Sequence, residues 1–286
     1  MIGNTDFLLE THLKALDPRL HRRFTDCAAI MPTVLDRYVN NFPHFTDHSM
    51  RHAINVIEFC NKLIGTENIE KMNAAECFVL LMGIYLHDMG MGISEREFLR
   101  MYQENHIDAQ DTEQIRSTIR KLHHEISGNL IRRYASLFEL EDETVTHAVV
   151  QTVRGHRVTD IRDGKEYPVA YELKNGQTVC LPYLAALIRL SDEIDMGSNR
   201  NDGDLYDASV AFAENEIAEF ARHRAIRNVR VEPTALVIEI HGDDDIYQRI
   251  LQGRDKLEGM LVDCRAAVNG RTKFTISQEK VLFERV

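Results

Sequence analysis

Apolar positions recur at helical spacing through most of this chain. Leu20, Phe24, Ala28, Met31, Val34 and Leu35 repeat every three to four residues, the signature of one buried helix face. Thr5 or Asp6 caps a preceding helix that runs to about Leu16, and Pro18 opens the next one toward Tyr38. Pro32 falls inside that pattern and is expected to kink or split it, and Pro43 ends it. The loop 42–46 then leads to Asp47, near the start of a helix carrying His48 and His52. Phe78 to Leu86 is apolar at every position, so residues 73–87 are predicted as a helix buried on all sides, with Asn73 as its cap. Gly90 and Gly92 close it. Polar helices follow at 94–104 and from Ile115 to Leu137, with an acidic surface loop at 105–112 between them. Another helix spans 142–154 and ends near Gly155 and His156.

The period then changes. Asp163-Gly164 and Asn175-Gly176 are turn signals flanked by alternating residues, which predicts a small inserted β-hairpin, expected near the rim of a pocket. Pro182 opens the helix that carries Asp192. Asn199 to Asp204 is a polar, linker-like run, and 211–222 is a further helix. Strands at 226–231 and 235–240, a helix over 244–269 and a final strand or two within 273–285 make a β-β-α-β order. The expectation is a mainly α protein: a helical domain over 1–200 and a small α+β unit over 201–286.

The chain has 286 residues, enough for one large domain or a domain with an appendage. A net charge of −11 argues against a general nucleic-acid binder, whose footprint is basic. The five cysteines are scattered, have no CxxC spacing and mostly adjoin apolar residues, which reads as buried thiols in a reducing cytoplasm. The start of the chain lacks the basic and apolar segments of a signal peptide, and the run from Phe78 to Leu86 is too short to span a membrane.

His87 and Asp88 stand at the inner end of the apolar run, where two such groups are costly to bury without a partner. A divalent cation is one partner, and a polar helix end capped by Gly90 is the simpler alternative. Further histidines and acids stand on or beside the other helices: His48 and His52, the His123-His124-Glu125 triplet, His156, and Asp192. In order this is H, HD, H, H, D. Over roughly residues 40 to 200 the chain resembles the HD-domain metal-dependent phosphohydrolase superfamily.

That resemblance implies an HD-type helical bundle with His52, His87, Asp88, His124, His156 and Asp192 as ligands to one or two divalent ions. Asp88 would bridge them, and Asp88 and His124 would carry catalysis. His52 is preferred over His48, and His124 over His123, because the neighbouring residues fit the superfamily's pattern. Mixed N/O ligation without cysteine suits Mn, Fe, Ni, Co, catalytic Zn or Mg rather than structural zinc. Glu125, Glu193 and Asp47 are candidates to orient the imidazoles. His48, Arg51, His123, Arg154, Arg157 and Arg189 are candidates to touch a phosphate, arginine being suited to its oxygens.

The implied substrate is a nucleotide or another small phosphate. The cyclic-dinucleotide class carries a lysine after His-Asp-x-Gly and a Gly-Tyr-Pro tripeptide; here Met91 follows Gly90 and the tripeptide is absent. The His-His-Glu element and the C-terminal unit look closer to the nucleotide-hydrolysing branch and to bacterial HD proteins associated with Hsp90-like ATPases. The alternative to an enzyme is a non-catalytic nucleotide-sensing or partner-binding regulator associated with such an ATPase; a homo-oligomer or an ATPase partner is expected in either case.

Overall fold

The computed structural model describes residues 7–42, 47–102, 111–197 and 224–286. The helices are α1 (Leu8–Leu16), α2 (Pro18–Leu35), α3 (Met50–Ile69), α4 (Ala74–Leu86), α5 (Glu95–Met101), α6 (Thr112–Arg133), α7 (Glu143–Arg154), α8 (Leu181–Ile194), α9 (Asp244–Leu251) and α10 (Arg254–Val268). The strands are β1 (Tyr171–Glu172), β2 (Thr178–Val179), β3 (Ile226–Val231), β4 (Ala235–Ile240) and β5 (Lys280–Arg285). The fold is mainly helical with two small sheets, as the apolar periodicity predicts.

α4 is the axis of the bundle. Every residue from Ala74 to Leu86 is buried, and α1, α2, α3, α7 and α8 pack around it. Its start is fixed by a reciprocal cap: Glu76 N–H donates to Asn73 Oδ1, and Asn73 N–H donates to a Glu76 carboxylate oxygen. Ala74–Gly92 is, among the described residues, the one segment long and apolar enough to cross a membrane, and 94% of it is buried inside the fold. Its apolarity is that of a core helix.

Several boundaries differ from the sequence reading. α2 continues through Pro32 to Leu35 and passes into a 3₁₀ turn over Asp36–Asn40, so the proline does not split it. α6 stops at Arg133, and Ala135–Phe138 form a separate 3₁₀ turn. The helix predicted over 244–269 is two helices, α9 and α10, interrupted at Gln252-Gly253. The inserted hairpin pairs only at Tyr171↔Val179 and Glu172↔Thr178, around the Asn175-Gly176 turn; the 161–167 stretch forms turns. It also sits away from the expected pocket rim. Asn73 Nδ2 donates to Thr178 O and Cys180 N–H to Glu76 Oε1, which ties the hairpin to the N-terminal end of α4. His87 is at the other end, about 20 Å away at 1.5 Å per residue.

In the C-terminal part β4 is central, antiparallel to β3 and parallel to β5. This part is bolted to the bundle. α10 packs on α8, and Phe274 stacks on Tyr183 with centroids 4.0 Å apart. Lys273 Nζ lies 3.0 Å from the buried Glu76, and Asn68 exchanges two hydrogen bonds with the Thr275 backbone. The expected domain boundary at 200, the linker at 199–204, the helix at 211–222 and most of the 105–112 loop lie outside the described residues.

Candidate metal centre

The centre forms where α3, α4, α6, α7 and α8 meet. Asp47 and Ser49 cap the start of α3, accepting from Ser49 N–H and Arg51 N–H respectively, and set His52 one turn inside. α4 ends at His87, and Asp88 leaves the helical conformation at φ −98°, ψ 4°. The next turn must let α6 come close. Gly90 N–H donates to Ser127 Oγ, whose hydroxyl donates to His87 O. A Cβ on Gly90 would stand 2.4 Å from His123 O, so no other residue fits without moving α6. Gly155 does the same on the other side, where a Cβ would lie 2.4 Å from the Ala185 Cβ. These two close approaches bring His123 and His156 to the end of α4.

Four buried imidazoles point inward, and their outer nitrogens show how each is oriented. Nδ1 of His87 lies 2.7 Å from Ile84 O, that of His123 2.7 Å from Arg120 O, and that of His156 2.5 Å from Val153 O. A carbonyl only accepts, so in each ring the proton sits on Nδ1 and donates. His52 Nδ1 lies 2.6 Å from Asp195 Oδ2, with the same consequence. Each Nε2 therefore presents a lone pair. These lone pairs face one another: His52 and His87 Nε2 are 3.2 Å apart, and His123 and His156 Nε2 are 2.9 Å apart. Two neutral imidazoles so disposed repel unless a proton or a cation lies between them.

The carboxylates complete two groups. Asp88 Oδ2 stands 3.4 and 3.1 Å from the Nε2 atoms of His52 and His87, and Asp88 Oδ1 stands 3.4 Å from that of His123. Asp192 Oδ1 is 3.2 Å from His52 Nε2. His52, His87, Asp88 and Asp192 form one set of candidate ligands, and Asp88, His123 and His156 the other. Asp88 Oδ2 is buried and has no hydrogen bond. Two ligand atoms bound to one cation at about 2.1 Å and at right angles would be about 3 Å apart, which matches these spacings. The donor set therefore fits a pair of divalent ions sharing Asp88.

Electrostatics agree. Burial pushes the Asp88 carboxyl up, but His87, His48 and His52 outweigh it and hold it well below the usual carboxylate range. Asp192 is held low in the same way, chiefly by His52 and His87 against burial. Burial pushes the His87 imidazolium down, and Asp88 and Asp192 more than reverse this. His156 is driven well below the ordinary histidine value by burial and by His87 and His123.

Of the expected ligands, the structure brings His52, His87, Asp88, His156 and Asp192 together; in place of His124 it brings His123. Consecutive helical residues point about 100° apart, and the Arg120 carbonyl one turn back aims the His123 ring inward. His124 is buried beside the centre, with its ring 6.2 Å from that of His156. Its Nδ1 has no hydrogen bond. Burial, then the charges of His123, Arg157, Arg154 and Arg189, push its pKa down to about 4.

Two expected phosphate contacts are committed elsewhere. Arg154 Nε sits 2.9 and 2.8 Å from the two Glu125 oxygens. The buried Arg189 donates to Gly155 O and Thr159 O, which fixes the turn that carries His156. Arg51 pairs with Asp47 at 2.7 Å and is half-exposed, and the His48 ring lies 5.6 Å from that of His52. Arg157 is half-buried, its side chain has no ion pair or hydrogen bond among the described residues, and its charge reaches His123 and His124.

Of the three acids expected to orient an imidazole, Glu125 holds Arg154 and stands 3.8 Å from His124 Nε2, Glu193 holds Lys256, and Asp47 holds Arg51. Asp195 orients His52 instead. It is 2% exposed and also accepts from Asn55 Nδ2 at 3.1 Å. Its place three residues after Asp192, one position past the end of α8, was the available signal.

A helical bundle whose inner ends bring H, HD, H, H and D to one centre defines an HD-type domain, the class of metal-dependent hydrolases. Residues 42–260 match the family model HD-CE, which is well over half of the chain, and the chain belongs to that family. The match runs past residue 200, through β3 and β4 and into α10. No curated protein and no solved structure matches the chain.

Proposed function

We propose that this protein is a metal-dependent phosphohydrolase that cleaves a phosphoester or phosphoanhydride bond of a nucleotide or similar small phosphate. The observation that carries the reading is the division of Asp88, with one oxygen toward His52 and His87 and the other toward His123. Divalent ions held by these residues would supply an activated water and neutralise charge at phosphorus. The residues do the rest. Nδ1 anchors on Asp195, Ile84 O, Arg120 O and Val153 O fix all four ring orientations before substrate arrives, so no reorganisation is needed during reaction.

His124 and Arg157 are the groups assigned to the phosphate. His124 is neutral at physiological pH and its Nδ1 makes no hydrogen bond among the described residues, so that nitrogen is open to an anionic oxygen or a leaving group. Arg157 adds an uncommitted charge beside it. His48 and Arg51 flank the His52 side. Ligation by nitrogen and oxygen without cysteine suits Mn, Fe, Co, Ni or Zn. The test is elemental analysis of the purified protein, followed by phosphate release across a panel of nucleotides with Asp88→Asn as control. The expected result is at least one ion per chain and turnover that Asp88→Asn abolishes. Bound metal without turnover on any substrate would refute the enzyme and leave a nucleotide-sensing or partner-binding regulator.

A further inference from the structure

A pocket of about 570 Å³ opens beside the second half of the centre. His156 is at its inner end, the turn 157–162 forms one side, and α10 of the C-terminal part forms the facing wall. We infer that this pocket receives the nucleoside part of the substrate, so that α10 sets which nucleotide the centre accepts. The inference rests on the phosphohydrolase reading for the position of the phosphate and goes beyond it in assigning the C-terminal part a role.

Most charges around the pocket are already paired. Lys256 Nζ bonds Glu193 at 2.6 and 2.8 Å, Arg162 faces Asp263 at 3.4 Å, and Arg189 is spent on two carbonyls. Two lining charged side chains have no ion pair or hydrogen bond among the described residues: Arg157, next to His156, and Asp255, at the start of α10. A ligand with an anion at one end and hydrogen-bond donors at the other matches that pair. A nucleotide has this layout, with phosphate toward Arg157 and ribose hydroxyls or base N–H groups toward Asp255. Met260 and Val158 add apolar surface for a base. The volume falls within the range of small-molecule sites, and inorganic phosphate alone would leave it nearly empty.

Gly259 gives the means of testing this. It lines the pocket in the middle of α10, and a Cβ there would meet no atom within 4 Å. A large side chain at 259 therefore fills the pocket without pressing on the bundle. The experiment uses the full chain loaded with Mn²⁺ and measures binding by calorimetry for the four ribonucleoside 5′-triphosphates and for inorganic phosphate. At least one triphosphate is expected to bind more tightly than phosphate. Gly259→Phe should weaken that triphosphate by at least about tenfold, the equivalent of one lost contact group, with phosphate affinity and metal content unchanged. Asp255→Ala, an exposed position, should weaken it in the same direction and serves if Gly259→Phe melts early. The inference is overturned if no triphosphate outbinds phosphate, or if the folded variants keep the parental preference. Binding lost in these variants while the parent hydrolyses nothing would refute the enzyme reading and retain the pocket.

Discussion

Removing the metal should cost this fold a measurable and divisible amount of stability. In the metal-free protein the inner nitrogens of four imidazoles face each other in pairs at 3.2 and 2.9 Å, and Asp88 Oδ2 is buried without a hydrogen bond among the described residues. An ion that binds the folded chain alone stabilises it by about 2.7 kcal/mol when free metal is 100 times its Kd. For a chain of this size each kcal/mol moves Tm by about 2–4 °C, so one ion should add roughly 5–11 °C and two ions roughly twice that. The partition among variants follows from the geometry. His123→Ala removes one ligand set and should lose about half of the Mn²⁺-induced shift. Asp88→Asn belongs to both sets and should lose nearly all of it. His124→Ala should keep the full shift, because its ring is outside both sets. The assay is a melting curve for each variant in excess chelator and in excess Mn²⁺. Parental curves that coincide under the two conditions would refute the metal centre. A His124→Ala loss equal to that of His123→Ala would refute the choice of ligand.

Other consequences are as direct. Asp195→Asn keeps the side-chain volume but weakens the acceptor that orients His52; metal affinity should fall by about 10- to 100-fold, as read by competition with a chromophoric chelator, and an unchanged affinity would remove Asp195 from the centre. Gly90→Ala places a methyl 2.4 Å from His123 O, a backbone atom that cannot swing away, and should destabilise by at least about 1–3 kcal/mol and lower metal content together; parental melting would contradict that packing. The pH dependence has a definite sign. Asp88 and Asp192 raise the His87 pKa above its ordinary 6.5 against burial, so its proton contributes stability to the apo protein below that value and that contribution is lost as pH rises through the raised pKa. Metal must displace that proton, so apparent metal affinity should rise between pH 6 and pH 8; calorimetric titrations in buffers of different ionisation enthalpy will show the released proton, and a flat profile would exclude it. Asp88→Asn should also cost phosphate release roughly three or more decades, since the loss is several kcal/mol of barrier, measured on whichever nucleotide the parent turns over.

The sequence revealed those parts of the centre that depend on one helix and concealed those that depend on two. The apolar run into His87-Asp88 is a local pattern, and it located the bundle axis and the shared carboxylate. The order of the remaining histidines and Asp192 needed only the helix positions. The choice between His123 and His124 was different in kind. Both lie on α6, both are buried, and their rings differ by one 100° step. What decides is how far α6 is rotated about its axis, and that is set by contact between Gly90 and Ser127, 37 residues apart in the chain. Superfamily pattern pointed to the second histidine; the helix rotation presents the first. The arginines misled for a related reason. Spacing placed Arg154 and Arg189 near the ligands, but each had a nearer partner, Glu125 in one case and the carbonyls of Gly155 and Thr159 in the other. Those partners come from other helices and turns. A buried guanidinium that finds several acceptors within the fold is a strut, because leaving them unpaired would cost more than a phosphate contact returns. The Arg157 guanidinium, one step past His156, has no such partner among the described residues, and so remains the arginine suited to an incoming anion.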